Sequence, residues 1–156
     1  MINLAGTYWY VPTAYLPALA ASVTSPIPAA QAIVDQTVWH IETYQNGYVI
    51  GVSATNIGGG WGYAMMIGSV APNGAVKISF STFGDENAFA VGDGTFDGNA
   101  FTMQMSSGSA SLSITHWAQM MPIDSSMPEW NSLPGYPDTS VPDLTGLQIP
   151  IVITSP

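Results

Sequence analysis

Turn signals between short apolar segments constrain the fold of this chain more than any other feature. Between residues 37 and 118, the dipeptides Asn46-Gly47, Asn73-Gly74 and Ser107-Gly108 each separate runs of β-branched, aromatic and Met residues. Asn-Gly favours a type I′ turn, because both central residues of that turn need a positive φ. This part of the chain is therefore predicted to form at least seven short strands joined mainly as antiparallel hairpins.

An eighth strand is predicted at Leu4–Tyr10, which has the composition of a strand. Eight antiparallel strands in meander order close into an up-and-down barrel that is just wide enough for side chains or one small ligand. We therefore predict an all-β protein, with an eight-stranded antiparallel up-and-down β-barrel over residues 1–121. A β-sandwich is the alternative, because short hairpin links alone do not exclude it.

Two segments depart from the strand pattern. Residues 11–36 are rich in Ala and contain four prolines, and we predict a helical or loop insertion that forms a lid on the barrel. Ser25 would cap a short helix that starts at Pro26 and continues through Ala29–Ala32. Residues 122–156 hold seven of the twelve prolines, which predicts a tail packed on the barrel or on a partner subunit, with one edge strand at Ile149–Ile153.

The turn lengths predict which side chains share a face. A two-residue turn at Asn46-Gly47 pairs Gln45 with Tyr48, and it places Trp39 on the apolar inner face and His40 on the outer face. The pairs predicted along this hairpin are Thr43 with Ile50, Ile41 with Val52 and Trp39 with Ala54.

The turn at Asn73-Gly74 predicts a second hairpin in which Ile67 lies opposite Phe80. Lys77 and the serines beside it then face water, as expected for an antiparallel sheet with one solvated face. The residues predicted to line the inner face are Trp61, Tyr63, Met65, Ile67, Val76, Ile78 and Phe80.

The loop at residues 97–99 leaves two registers open for the third hairpin. A two-residue loop turns Gly92 and Gly94 inward, whereas a three-residue loop with a bulge turns Val91 and Asp93 inward. In the last hairpin, a turn at Ser107-Gly108 pairs Met103 with Leu112. That register turns five residues inward, namely Phe101, Met103, Leu112, Ile114 and His116.

The charge composition excludes several classes of partner. Lys77 is the only Lys or Arg, the net charge is −9, and charged residues make up only 7% of the chain. Nucleic acids and anionic lipid surfaces need cations to bind, so we predict no nucleic-acid partner. Prolines interrupt the Ala-rich residues 11–34, so we predict no membrane span. Two compartments stay open, the cytoplasm and the exterior after removal of a leader.

The opening residues Leu4-Ala5-Gly6-Thr7-Tyr8-Trp9 resemble the first-strand signature of the calycins, the lipocalin and avidin group, in which Gly-x-Trp follows an apolar residue. In this chain the Trp comes one position later. The chain also has no Arg to match the Arg near the last lipocalin strand, and Asp85-Glu86-Asn87 is a loose counterpart of the Thr-Asp-Tyr-like loop. The resemblance implies a barrel that holds a small apolar ligand.

His116 is the leading candidate for chemistry, because a His among apolar side chains can act as a general acid or base near neutral pH. Asp93 or Tyr63 would assist it. The reactions that need only this equipment are cofactor-free isomerisation, cyclisation or elimination, so an enzyme would be a lyase or isomerase. The alternative is a structural His whose ring nitrogens bond to backbone groups.

Metal and cofactor sites are not predicted. His40 and Glu42 share a face and have metal-ligand spacing, but no second His lies near them in the sequence and their face is the outer one. The chain has no Cys, which removes thiolate ligands and disulfides.

Aromatic and Met side chains are predicted to form the walls of the interior. We therefore predict binding of a small apolar or aromatic molecule, with a non-catalytic carrier or a structural protein with a solid core as alternatives. A homodimer would bury the outward apolar residues Val38, Tyr44 and Val49. The predicted ligand-binding residues are Trp39, Trp61, Met65, Phe80, Phe101, Met103 and Ile114.

Overall fold

The computed structural model describes residues 2–22, 29–82, 89–145 and 147, and these residues contain ten β-strands and two 3₁₀ turns. The predicted cap at Ser25, the loop Asp85-Glu86-Asn87 and the predicted edge strand Ile149–Ile153 lie outside this part of the chain. The 3₁₀ turns are Thr13–Tyr15 and Pro128–Trp130. The strands are β1 (Thr7–Tyr10), β2 (Pro17–Ser22), β3 (Ala29–Val34), β4 (Gln36–Gln45), β5 (Tyr48–Asn56), β6 (Trp61–Val70), β7 (Ala75–Thr82), β8 (Phe89–Phe96), β9 (Phe101–Gly108) and β10 (Leu112–Ile123).

Eight of these strands close into an antiparallel β-barrel. The strands β4 to β10 follow one another in meander order, and β1 pairs with both β4 and β10. This double pairing leaves the barrel without a free edge at β1. The all-β, eight-stranded barrel predicted from the sequence is confirmed.

The described residues of the insertion between β1 and β4 form a 3₁₀ turn and two paired β-strands in place of the predicted helix. Its strands β2 and β3 pair with each other, and Leu19–Ser22 of β2 pairs with the first residues of β10. The helix predicted through Ala29–Ala32 is therefore wrong, because these residues belong to β3. Pairing with β2 outweighs the high helix propensity of Ala, because propensity is a weak preference that tertiary context overrides.

The β4–β5 hairpin has the predicted turn but contains a bulge. Asn46 and Gly47 have φ values of 54° and 83°, and Gln45 pairs with Tyr48 as predicted. The register then shifts between Ile41 and Thr43, so Glu42 is the extra residue of a β-bulge. The predicted pairs beyond it are wrong by one residue: Ile41 lies opposite Gly51, His40 opposite Val52 and Trp39 opposite Ser53.

The β6–β7 hairpin has a longer loop than predicted. The Ala71 amide donates to the Ala75 carbonyl and closes a three-residue loop at residues 72–74, so Met66 pairs with Phe80 and Ile67 with Ser79. The inner residues of β7 were predicted correctly, but those of β6 were not. A one-residue slip turns every side chain of a strand to the other face, so Met65 and Ile67 point outward.

The last two hairpins keep the predicted faces of β9 and β10. Residues 97–100 form the β8–β9 loop, and Gly94 pairs with Met103, so Gly92 and Gly94 face inward and Asp93 faces outward. β9 continues through Gly108, so the turn predicted at Ser107-Gly108 is wrong, and the pairing of β9 with β10 moves by six residues. Because six is an even number, His116 still faces the interior.

The C-terminal segment covers one side of the barrel. Leu133, Val141 and Leu144 are buried with Val38 and Val52 in a hydrophobic cluster on the outer face of β4 and β5, which we call the tail cluster. The segment is also held by polar contacts, since the Gly135 amide donates to the Gln36 side chain (2.9 Å), which itself donates to the Val11 carbonyl (3.0 Å).

The outward apolar residues that suggested a homodimer have other partners. Val38 lies in the tail cluster, whereas the bulge turns Tyr44 and Val49 into the barrel core. A homodimer stays a prediction without the support of these residues.

Replacement of a tail Leu should cost as much stability as a replacement in a barrel core. Leu144 is fully buried, whereas Leu19 of β2 is 48% exposed. We expect Leu144→Ala to lower the free energy of unfolding by about 2–5 kcal/mol, and Leu19→Ala by under about 1 kcal/mol. Urea unfolding followed by Trp fluorescence measures both, and equal small losses would show that the tail is not part of the folded unit.

Candidate functional site

A cavity of about 530 Å³ opens at one end of the barrel. We call this the cavity end; it is where β5, β7 and β9 finish and β6, β8 and β10 begin. Most of the lining surface is apolar. Small side chains leave this space, since the inward positions of four strands at this level are Ser53, Thr55, Gly62, Ala64, Ala90 and Ser107.

Large aromatic side chains fill the rest of the interior. Trp39 is fully buried and stands between Phe80, which lines the cavity, and Phe101, with ring centroids 5.9 and 5.7 Å away. Phe101 in turn packs against Trp9 and Phe96 at 4.7 and 4.5 Å. The cavity therefore has an aromatic floor, and its position follows from the change in side-chain size along the barrel axis.

His116 lines the cavity and is almost completely buried, with 2% of its surface exposed. Its Nε2 atom donates to the Tyr15 carbonyl in the first 3₁₀ turn (2.5 Å). Its Nδ1 atom lies 3.2 Å from Oδ2 of Asp35, an ion-pair contact outside hydrogen-bond geometry. Because both nitrogens face acceptors, this arrangement favours the doubly protonated imidazolium.

Asp35 links the histidine to the barrel wall. It lies between β3 and β4, and its amide donates to the Leu16 carbonyl (2.9 Å). Its Oδ1 atom accepts a hydrogen bond from Thr37 (3.0 Å), whose hydroxyl lies 3.3 Å from that of Thr55. His116, Asp35, Thr37 and Thr55 thus form a continuous polar row along one wall of the cavity.

The two histidines of the chain have pKa values shifted in opposite directions from the ordinary 6.5. Burial lowers the pKa of His116, but the Asp35 carboxylate and the Tyr15 carbonyl raise it by more, so the net pKa is raised. Burial lowers the pKa of His40, and the charges of Glu42 and Asp143 offset only part of this effect.

These shifts predict opposite contributions to stability. The stabilisation from His116 is fully present below pH 6.5 and is lost as the pH rises through its raised folded-state pKa. The stabilisation from neutral His40 is present above pH 6.5 and is lost as the pH falls through its lowered folded-state pKa.

The structure brings together only some of the residues predicted to form a site. Of the predicted catalytic residues, His116 and Tyr63 line the cavity, although Tyr63 also packs against the tail cluster. Of the predicted ligand-binding residues, three line the cavity, namely Trp61, Phe80 and Ile114. Three others are buried in the barrel interior outside the cavity lining, namely Trp39, Phe101 and Met103, and Met65 lies on the outer face.

Asp93 does not join His116. Its carboxylate lies 2.7 Å from the Lys77 ammonium on the outside of the barrel, where the two side chains are 62% and 81% exposed. The four-residue β8–β9 loop causes this, because it turns the neighbouring glycines inward.

Sequence analysis missed the partner of His116. Asp35 follows Val34 at the end of an Ala-rich segment that was interpreted as a helical lid, and that interpretation removed it from the barrel wall. The one local signal for Asp35 is weak: a carboxylate that lies between two apolar runs and two residues before a Thr. Ser53 and Thr55 were missed as lining residues because the unpredicted bulge turns them inward. Thr37 and Met105 also line the cavity and were not named as lining residues.

His40 lies outside the barrel beneath the tail. Its ring stacks on Tyr8, with centroids 4.3 Å apart and an angle of 28° between the planes, and its buried Nδ1 has no hydrogen-bond partner among the described residues. Among the described residues no group of three His, Asp or Glu side chains is placed to hold a metal ion. The same residues contain no helix with the length and apolar character needed to cross a membrane.

Comparisons with models of protein families, with curated proteins and with solved structures found no match for this chain. The geometry of the cavity is therefore the basis for assigning a function.

The ion pair can be tested by NMR titration, because the chain contains only two histidines. We expect one imidazole to titrate above pH 6.5 and the other below it. In Asp35→Asn the higher pKa should fall below 6.5, because burial then acts without the carboxylate. Asp93→Asn removes a carboxylate from the outer face and should leave both values unchanged; a higher value that survives Asp35→Asn would contradict the pairing.

Proposed function

We propose that this protein binds a small, mostly apolar or aromatic molecule in the cavity at one end of its barrel. The observation that carries the proposal is the cavity itself, which is about 530 Å³ in volume, mostly apolar, and bordered by one buried polar row. Ligand pockets in proteins are typically about 300–1,000 Å³ and combine apolar walls with a few fixed polar groups. The calycin resemblance in β1 implies the same function and is part of the proposal.

A structural protein with a solid core is less well supported. A barrel of eight strands is narrow enough for its own side chains to fill, and aromatic residues do fill the far half of this one. At the cavity end the inward positions instead hold small residues, such as Gly62, Ala64 and Ala90. Small residues on neighbouring strands at one level leave a volume that the rest of the described chain does not occupy.

The arrangement around His116 favours binding without chemistry. A general base needs a nitrogen lone pair directed at the substrate, but Nε2 is engaged with the Tyr15 carbonyl and Nδ1 faces Asp35. The same contacts fix the ring and stabilise its charge. Their combined effect is to build a rigid polar wall for the ligand.

Cofactor-free acid–base catalysis is the second candidate, and the observation in its favour is that a paired imidazole and carboxylate line an apolar cavity. A proton transfer would require the Nε2 contact with Tyr15 to open so that Nε2 reaches the substrate. The helper role predicted for Asp93 is dropped, since Asp93 faces outward. An isomerisation or elimination lost in His116→Gln with ligand affinity retained would establish this candidate.

Ligand binding can be tested with the uncharged fluorescent probe N-phenyl-1-naphthylamine. We expect one probe molecule per chain, with fluorescence enhanced by transfer into the cavity. Ala90→Phe fills the cavity and should weaken binding by about tenfold or more. Ala32→Phe adds the same ring to an exposed position of β3 and should leave the affinity unchanged. Equal affinity in both variants, or no saturable binding to the unmodified protein, would contradict the proposal.

A further inference from the structure

We propose, as a consequence of the proposed function, that the cavity accepts uncharged ligands with a hydroxyl or carbonyl group and rejects carboxylates, sulfonates and phosphates. The distribution of cations and hydroxyl groups in the structure supports this selectivity.

The only Lys or Arg of the chain cannot contact a ligand in the cavity. Lys77 lies on the outer face of β7, with an 81% exposed side chain and its ammonium 2.7 Å from the Asp93 carboxylate. The β7 side chains that line the cavity, Phe80 and Thr82, point to the opposite face. An anion in the cavity therefore has no contact with this charge.

The charge on His116 is already matched. Its two ring nitrogens face the Asp35 carboxylate and the Tyr15 carbonyl, so an anionic ligand would approach a neutral pair that includes a carboxylate. His40, the other histidine, lies outside the barrel beneath the tail. A buried anion without a paired cation loses its hydration without compensation.

The net charge of the protein acts in the same direction. At −9, it repels anions from the surface before they reach the cavity. Cations are attracted to such a surface, but the Asp35 carboxylate inside is already engaged by His116 and Thr37. The apolar walls formed by Phe80, Met105 and Ile114 offer no replacement for the hydration of an ammonium group.

Uncharged polar groups find suitable partners in the cavity. Hydroxyl side chains at Thr37, Ser53, Thr55 and Ser107 lie along its lining, and a hydroxyl can both donate and accept. Thr37 gives its proton to Asp35, which leaves its oxygen as an acceptor. A ligand with an apolar body and one hydroxyl or carbonyl group matches this lining.

Matched probes separate the charge preference from binding itself. N-phenyl-1-naphthylamine and 8-anilinonaphthalene-1-sulfonate share one ring system and differ by the sulfonate. We expect the neutral probe to bind at least about tenfold more tightly at low ionic strength. In displacement of the neutral probe, 1-dodecanol should compete at least about tenfold better than dodecanoate or dodecylammonium at pH 7.

A charge placed in the cavity should reverse the preference against anions. Ser107→Lys puts an ammonium on the lining, whereas Ser79→Lys adds the same charge to the exposed outer face of β7. Dodecanoate should compete better with Ser107→Lys than with the unmodified protein, and Ser79→Lys should change little. Since the two variants have equal net charge, the difference reports the cavity alone.

The possible outcomes distinguish this inference from the proposed function. If the neutral and anionic probes bind equally well, or if dodecanoate or dodecylammonium competes as well as dodecanol, the selectivity is overturned while ligand binding stands. If no probe binds in a saturable manner, the proposed function fails and this inference fails with it. Tight binding of the neutral probe and dodecanol alone supports both.

Discussion

The contact between His116 and Asp35 lies beside the point where the pairing partner of β10 changes from β2 to β1. β10 pairs with β2 through residues 112–115 and with β1 through residues 121–123. The first 3₁₀ turn connects β1 to β2 and lies against β10. The His116 side chain bonds to Tyr15 in this turn and reaches Asp35 between β3 and β4. One buried side chain thus connects β10, the 3₁₀ turn and the β3–β4 junction.

Side-chain size along the barrel axis determines what this closed scaffold can do. The far half holds Trp9, Trp39 and Phe101 in mutual contact, and interiors of that density leave no room for a ligand. At the cavity end the same strands present Ser, Thr, Gly and Ala. The closed hydrogen-bond network keeps the walls apart, so the small residues leave a cavity instead of letting the barrel collapse. A rigid cavity of this kind lowers the entropic cost of ordering on binding.

Sequence patterns were sufficient for the eight barrel strands, but not for β2 and β3 or for all of the registers. The Asn46-Gly47 turn was predicted correctly because both residues need the positive φ that they adopt. The bulge at Glu42 was not predicted, because it depends on close packing around Gly51, where a Cβ atom would collide with the His40 carbonyl. The β6–β7 loop was misjudged by one residue, since residues 72–74 are closed by backbone hydrogen bonds that no residue type specifies.

The candidate site was predictable only in part for related physical reasons. His116 was correctly predicted to face the interior, because the error in the β9–β10 register was an even number of residues and left its face unchanged. Asp35 was missed because the Ala-rich segment before it favours a helix locally. In the folded chain the backbone of that segment pairs with β2 instead. Long-range pairing of this kind leaves no local signal. The prediction that Asp93 assists His116 was wrong because it depended on the length of the β8–β9 loop.

The central claim is that a small apolar molecule occupies the cavity next to the His116–Asp35 pair, and methyl NMR of the eight methionines tests it most directly. Met105 lines the cavity, whereas Met65 lies on the outer face of β6. Titration with 1-dodecanol is expected to shift the Met105 methyl signal, assigned through Met105→Leu, in a saturable manner and to leave the Met65 signal in place. An unchanged Met105 signal, or a larger shift at Met65, would contradict the account.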